Sequence, residues 1–269
     1  MINLNGKIIN DSIIKNRALL YADALFDTLI VNDNQIVFLE AHYFRLLAGM
    51  RQLRMEIPFY FTQNYWKQEI LHLLETTKLS NARVRTTVFR DSDGLYTPNV
   101  NTSNYLIQID KLKYQTKDTF KLGIYKDNLL STNSIDNIKT TNKVINVLAA
   151  IYAKEQEFDT CLLLNHKRHI AETTYANLFV VFGNQIKTPS LTEGCVKGII
   201  RQKLIEIIQK ETNFELTETE ISPYELQQAD EVFITNSVIG IQPVTHYKKR
   251  VFKKETSMIL QEKLKAKSN

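Results

Sequence analysis

What most constrains this chain is that its hydrophobic period keeps changing along its length. Ala82 to Phe89 and Tyr105 to Ile109 alternate apolar and polar residues, the period-two mark of half-buried strands. Glu40 to Leu53 instead repeats apolar residues at Phe44, Leu47 and Met50, and Thr62 to Thr77 does so at Trp66, Ile70, Leu73 and Leu74, which is helical spacing. Leu4-Asn5-Gly6-Lys7 carries the Asn-Gly signature of a tight hairpin, and a second hairpin is expected around Val31-Asn32-Asp33-Asn34. Further strands are expected near Lys121 to Tyr125, Thr160 to Leu164, Leu178 to Phe182 and Glu231 to Thr235. Helices are expected at Thr141 to Lys154 and Gly198 to Lys210. Strands interleaved with helices bury their apolar faces as mixed sheets covered by helices, an α/β (α+β) class. The polar, aperiodic run 111–119 separates two such regions. The expected division is a small N-terminal α/β domain at 1–112, a linker at 113–120 and a larger domain at 121–269.

Composition narrows the class. With 269 residues, 43% hydrophobic and 23% charged, the chain can bury a substantial core and is not a disordered tract. No stretch approaches the roughly 20 apolar residues that span a bilayer, so no membrane partner is expected. The start MINLNGKIIN reads as strand and turn rather than a signal peptide. Two cysteines in separate segments, Cys161 and Cys195, suit a reducing cytoplasm. The net charge of +5 is scattered, apart from Lys248-Lys249-Arg250 and the tail 253–267, which reads as a solvated helix. No nucleic-acid partner is expected from it.

Four segments carry chemistry-bearing residues. Lys139-Thr140-Thr141-Asn142 puts a lysine at the expected mouth of a helix, where the dipole and partial burial would both lower its pKa and favour Schiff-base chemistry. Glu172 lies between an apolar pair and a hydrophobic strand, an expensive place for an acid without a partner. Gly198-Ile199-Ile200-Arg201 opens a helix whose first N–H groups suit an anion. Thr235-Asn236-Ser237 ends a strand in a hydroxyl- and amide-rich turn. Taken singly, each has a plain structural alternative: a surface lysine, a capping glutamate, a helix start, a turn.

Taken in order, they resemble the class IV (fold-type IV) pyridoxal 5′-phosphate (PLP) enzymes. That group includes branched-chain and D-amino-acid aminotransferases and aminodeoxychorismate lyases. The resemblance runs from Arg17 through Thr28, His42-Tyr43-Phe44-Arg45-Leu46, Lys139 to Asn142, Glu172 to Phe179, Thr188-Pro189, Gly198 to Arg201 and Ala229 to Phe233, ending at Gln242-Pro243-Val244. It implies a PLP cofactor, a two-domain fold with mixed sheets, and a homodimer with the active site near the interface. It further implies that Lys139 forms the Schiff base and moves the substrate proton, while Glu172 pairs with the pyridine nitrogen. Arg45 then binds the phosphate, completed by the backbone of Ile199, Ile200 and Asn236 and by Ser237. Tyr21 and Phe26 line the substrate side. No metal is implied. Two departures stand out: Ile200 occupies a position that is often Thr, and Ala22-Asp23-Ala24 replaces a common Gly-Asp-Gly.

Subtype is less legible. Val144 and Ile30 stand where branched-chain enzymes usually carry Tyr and Arg, and 90–98 lacks the arginine–histidine pair of the D-amino-acid enzymes. Gly94-Leu95-Tyr96 echoes the lyases without their arginine. Arg90, or Arg85, is the expected contact for a substrate carboxylate, with both placed on the strand face of Arg83. The resemblance thus implies either amino transfer between a small, branched-chain-like amino acid and a 2-oxo acid, or release of 4-aminobenzoate and pyruvate from aminodeoxychorismate.

Overall fold

A computed structural model describes residues 2–4, 7–9 and 16–267 of the chain. The first elements are β1 (Ile2–Leu4), β2 (Lys7–Ile9), α1 (Arg17–Tyr21), β3 (Ala24–Asn32), β4 (Gln35–Ile36), α2 (Leu39–Gln52), α3 (Gln63–Thr77), β5 (Ala82–Arg90) and β6 (Ser103–Lys111). After an irregular stretch come β7 (Lys121–Leu130), α4 (Val144–Glu155), β8 (Thr160–Asn165), β9 (Ile170–Thr173), β10 (Asn177–Phe182), β11 (Gln185–Pro189), α5 (Ile199–Glu211) and β12 (Glu215–Thr219). The chain closes with β13 (Glu231–Asn236), β14 (Gly240–Val244), β15 (His246–Tyr247), β16 (Arg250–Val251) and α6 (Glu255–Lys267). β1 and β2 pair antiparallel with Leu4 opposite Lys7, while the expected turn residues Asn5 and Gly6 lie outside the described residues.

Three larger sheets follow from the alternation. The antiparallel sheet β4-β3-β5-β6 buries the odd-numbered residues Leu25, Leu29 and Val31 of β3, and Val84 and Val88 of β5, against α2 and α3. The other two are mixed five-stranded sheets, β12-β11-β10-β13-β14 and β16-β15-β7-β8-β9. They face each other through Leu178, Val180, Val232 and Ile234 on one side and Leu122, Leu162 and Leu164 on the other. Because side chains alternate, β10 and β13 present Phe179, Val181 and Phe233 to the opposite face, where α5 and α6 cover them. These central strands read as continuous apolar runs because both of their faces are buried. Glu231 is the exception, and its carboxylate accepts from the N–H groups of Thr256 and Ser257 at the start of α6 (2.6 and 3.0 Å).

The mixed α/β architecture matches the expectation, and the main strands and helices fall where periodicity placed them to within a few residues. One boundary matters. The helix expected from Thr141 begins at Val144, and Lys139 lies on an extended segment before it. That segment runs beside β3: Lys139 O accepts from Phe26 N (2.8 Å), Thr141 N donates to Ala24 O (3.0 Å), and Thr140 bridges Leu25. Lys139 is therefore strand-edge rather than helix-mouth, so the helix dipole is not what tunes it.

Candidate active site

Between the antiparallel sheet and the ends of β9, β10 and β13 lies a cavity of about 380 Å³. Seven of the expected residues line it: Phe26, Arg45, Lys139, Glu172, Ile199, Asn236 and Ser237. Their placement follows from strand parity. On β3, odd residues point to α2, so Phe26 and Thr28 point the other way, into the cavity. On β5 the same rule turns Arg83 and Arg85 to that side, directly opposite Ile30 and Thr28 in the ladder.

The amine of Lys139 sits 4.6 Å from the centre of the Phe26 ring. Burial and the neighbouring Arg45 charge lower its pKa from 10.5 to about 8. A substantial fraction is then the neutral, nucleophilic amine near physiological pH. Glu172, on β9, is buried, and among the described residues its carboxylate accepts one hydrogen bond, from the backbone N–H of Val196 (2.9 Å). Among the described residues no cation forms an ion pair with it. Arg45, on α2, is held by Asp27 through Nε and Nη2 (2.9 and 2.8 Å), and its Nη1 donates to Lys197 O (3.3 Å). Asp27 in turn contacts His42 Nδ1 (2.5 Å). Burial alone would raise the Asp27 carboxyl, but the Arg45 and His42 beside it hold it below the ordinary 3.8. Asp27 is a functional residue not named from the sequence; its signal is a single acid in the apolar strand ALFDTLIV, where only a buried ion pair makes sense.

Two expected residues lie elsewhere, while Ile200, expected to act through its backbone, is on the first turn of α5 with its side chain packed into the apolar cluster with Leu204 and Phe233. Tyr21 and Arg90 line a neighbouring cavity of about 780 Å³. Arg90 was expected on the face of Arg83 and Arg85; its even number puts it on the opposite, buried face of β5. There its donors are consumed by Asp23 (2.9 Å), Asn101 (2.6 Å), Leu53 O (2.6 Å) and Arg54 O (3.2 Å). Arg17 shares the same Asp23 (2.8 Å). Arg85, by contrast, stacks on Phe26 at 3.8 Å, with one long bond to Thr87 (3.3 Å). Burial and the nearby Arg83 lower its pKa.

The model of the family described as amino-transferase class IV matches residues 24–247. The chain belongs to this family. An aminodeoxychorismate lyase of Vibrio harveyi is 28% identical over 86% of this chain and 85% of that protein. A probable branched-chain-amino-acid aminotransferase of Aquifex aeolicus is 30% identical over 86% of this chain and 77% of that one. The crystal structure of the branched-chain aminotransferase of Thermoproteus uzoniensis with norvaline shares the fold, with a TM-score of 0.85 at 19% identity, covering 97% of this chain and 92% of that chain. The cofactor of this class IV aminotransferase is PLP. The donor set in the cavity fits that cofactor on its own chemistry. An amine of lowered pKa suits the aldehyde, a buried carboxylate without a cation suits a ring N–H⁺, and an arginine beside the start of a helix suits a phosphate.

Proposed function

We propose that the chain transfers an amino group between a small, branched-chain-like amino acid and a 2-oxo acid at Lys139. The observation that carries this reading is Lys139 itself: a buried amine near pH 8 facing a buried, cation-free carboxylate across one cavity. PLP, when bound, supplies an electron sink for the electrons left at the substrate's Cα. Glu172 would hold the ring nitrogen, and Arg45 with the N–H groups of Ile199 and Ile200, Asn236 and Ser237 would hold the phosphate. Asp27 fixes the Arg45 fork so that its orientation is set before binding. Lys139 would take the proton from the substrate's Cα as general base. The apolar face of Phe26 gives a small aliphatic side chain its surface, and Arg85 above it would take the carboxylate.

The reading includes the division into 1–112, 113–120 and 121–269, and a cytoplasmic homodimer. Both cysteines are free and buried, in keeping with a reducing compartment. α4 exposes Val144, Val147, Leu148 and Ile151 at helical spacing while burying only Ala149 and Ala153. An apolar stripe of that kind is suited to a second copy of the chain.

A second reading has one observation in its favour. Arg83 and Arg85 together give the cavity two guanidinium groups, and among the described residues the carboxylate paired with them is Asp110, 3.4 Å from Arg83. Two cations suit the two carboxylates of aminodeoxychorismate, and the Vibrio harveyi relative is a lyase of that name. The deciding measurement mixes purified holoenzyme with L-leucine, L-valine, L-glutamate and D-alanine, then with aminodeoxychorismate. Conversion of the cofactor's absorbance band to its amine form by a branched-chain amino acid supports the transaminase. An unchanged band together with release of 4-aminobenzoate and pyruvate replaces it with the lyase.

A further inference from the structure

Away from the cavity, three side chains of metal-ligand type meet. His169 Nδ1 lies 3.0 Å from a carboxylate oxygen of Glu193 and 3.8 Å from one of Glu220, and the three atoms fall within 4.8 Å of one another. They come from separate segments: the turn between β8 and β9, the turn after β11, and the residue following β12. All three lie outside the motifs that carry the family resemblance. Charge sets the cluster apart. The Glu193 side chain is only 5% exposed, and among the described residues no lysine or arginine pairs with it or with Glu220. Neighbouring acids are compensated, Glu218 by Arg201 (2.5 Å) and Glu225 by Lys187 (2.9 Å). A buried carboxylate is stable when it is paired or coordinates a metal.

One imidazole nitrogen donates at most one hydrogen, yet two carboxylates converge on the same Nδ1, and a cation between them serves all three groups. Two ligands about 2.0–2.2 Å from one ion stand about 3–3.5 Å apart at tetrahedral to octahedral angles. The 3.0 and 3.8 Å separations are close to that spacing. Asn165, fully buried, presets two of the ligands. Its Nδ2 donates to Glu193 Oε2 (2.7 Å), and its Oδ1 accepts from the backbone N–H of His169 (3.1 Å). Outer partners of this kind hold metal ligands in orientation. Glu220 is exposed and His169 half-buried, which leaves a hydrated ion a way in and room to keep water. The donor set also selects the metal. Magnesium and calcium take oxygen ligands, whereas zinc accepts imidazole and carboxylate together, and a neutral imidazole with two carboxylates balances its charge.

We infer that His169, Glu193 and Glu220 bind one zinc ion. The ion clamps the loop 190–196, on which the neighbouring cavity leans. Asn137, two residues before Lys139, donates to Leu191 O (2.9 Å) and Cys195 O (2.7 Å) of that loop, and Val196 N holds Glu172 (2.9 Å). The test needs neither turnover nor an identified substrate. The purified full chain is stripped with a chelator, freed of it, and titrated calorimetrically with ZnCl₂ and with MgCl₂, with melting curves alongside. Wild type is expected to take one Zn²⁺ per chain, about 100-fold or more tighter than Mg²⁺, and to melt higher with Zn²⁺ present. Glu220→Gln alters an exposed side chain and should fold normally, yet it should weaken Zn²⁺ by about tenfold or more and shrink the melting shift. His169→Gln should do the same. No saturable binding of one Zn²⁺ per chain overturns the inference, as does an affinity no tighter than that for Mg²⁺. Binding undiminished by either substitution overturns it too, and leaves His169 and Glu193 as a plain ion pair.

Discussion

Arg90 and Arg85 stand five residues apart on one strand, and their surroundings are opposite. Arg90 is buried, and its guanidinium is spent on Asp23, Asn101 and two backbone carbonyls. Arg85 faces a cavity, lies flat on Phe26, and touches no carboxylate among the described residues. A cation whose donors are all used is part of the architecture, while one left over at a cavity wall is available to a ligand. The same contrast separates whole regions. In the Arg17–Asp23–Arg90 knot the two guanidinium groups spend their donors on Asp23, Asn101 and backbone carbonyls within the chain. The cavity around Lys139 keeps an amine, a buried carboxylate and two arginines only partly compensated.

The largest effect tests the open region. Lys139→Met is expected to cut turnover by about 10⁴-fold, the upper end of what a positioned acid–base group contributes. It should also remove the cofactor linkage that borohydride traps. Folding should not suffer. Lys139 has a native pKa of about 8 against an ordinary 10.5, so between those values the unfolded chain holds more protons than the native one. Wild-type stability therefore rises as pH climbs through that window, and at neutral pH the buried ammonium is a cost. Cofactor-free Lys139→Met should melt at or above the wild-type temperature at pH 7, with the advantage shrinking toward pH 10.5. A lower melting temperature together with retained turnover would put Lys139 in the architecture instead.

The next effect tests the closed region. Arg90→Ala leaves the half-buried Asp23 with Arg17 alone and strips two carbonyls of their donor, which is expected to cost about 1–3 kcal/mol of stability. Burial works to raise the Asp23 carboxyl, but Arg90 and Arg17 together hold it below 3.8. That share of stability is present above the ordinary carboxylate value and is lost as pH falls through the lower native one. The gap between wild type and Arg90→Ala in urea unfolding should thus be widest near neutrality and narrow below about pH 4. A stable variant whose only defect is a raised KM would move Arg90 back to substrate binding.

This contrast also marks what was legible beforehand. Period alone gave the mixed α/β class and most elements, because β5 and β6 alternate cleanly and α2, α3 and α5 each carry one apolar stripe. Lys139, Glu172, Arg45 and the start of α5 could be named because they sit in segments whose order resembles a family, and the structure brings them to one cavity. Three things resisted. The extended run before α4 resembled a helix start, since only its pairing with β3 distinguishes the two. Asp27 looks like an ordinary strand residue, because its importance lies in the His42 and Arg45 partners that the fold brings to it. Arg90 was misplaced by parity, an error a count along β5 exposes but composition does not.

The smallest of the three effects sharpens the assignment of Arg85. Arg85→Gln keeps some polarity and length but gives up the charge and the planar fork over Phe26. If the guanidinium meets the substrate carboxylate, KM should rise about 10–100-fold, as for a lost charge-assisted hydrogen bond, with kcat changing far less. The cofactor-free melting temperature should stay within a degree or two, because among the described residues no carboxylate loses its partner. Arg83→Gln is the control that separates one carboxylate from two. Arg83 is farther out and already leans on Asp110 at 3.4 Å. A monocarboxylate donor such as leucine should notice the loss of Arg85 alone. A substrate with two carboxylates should lose affinity with either change, and more than additively when both are made, because the two cations then serve one anion pair. Equal insensitivity to both changes would mean that neither cation meets a ligand, and the contrast between the two faces of β5 would reduce to burial.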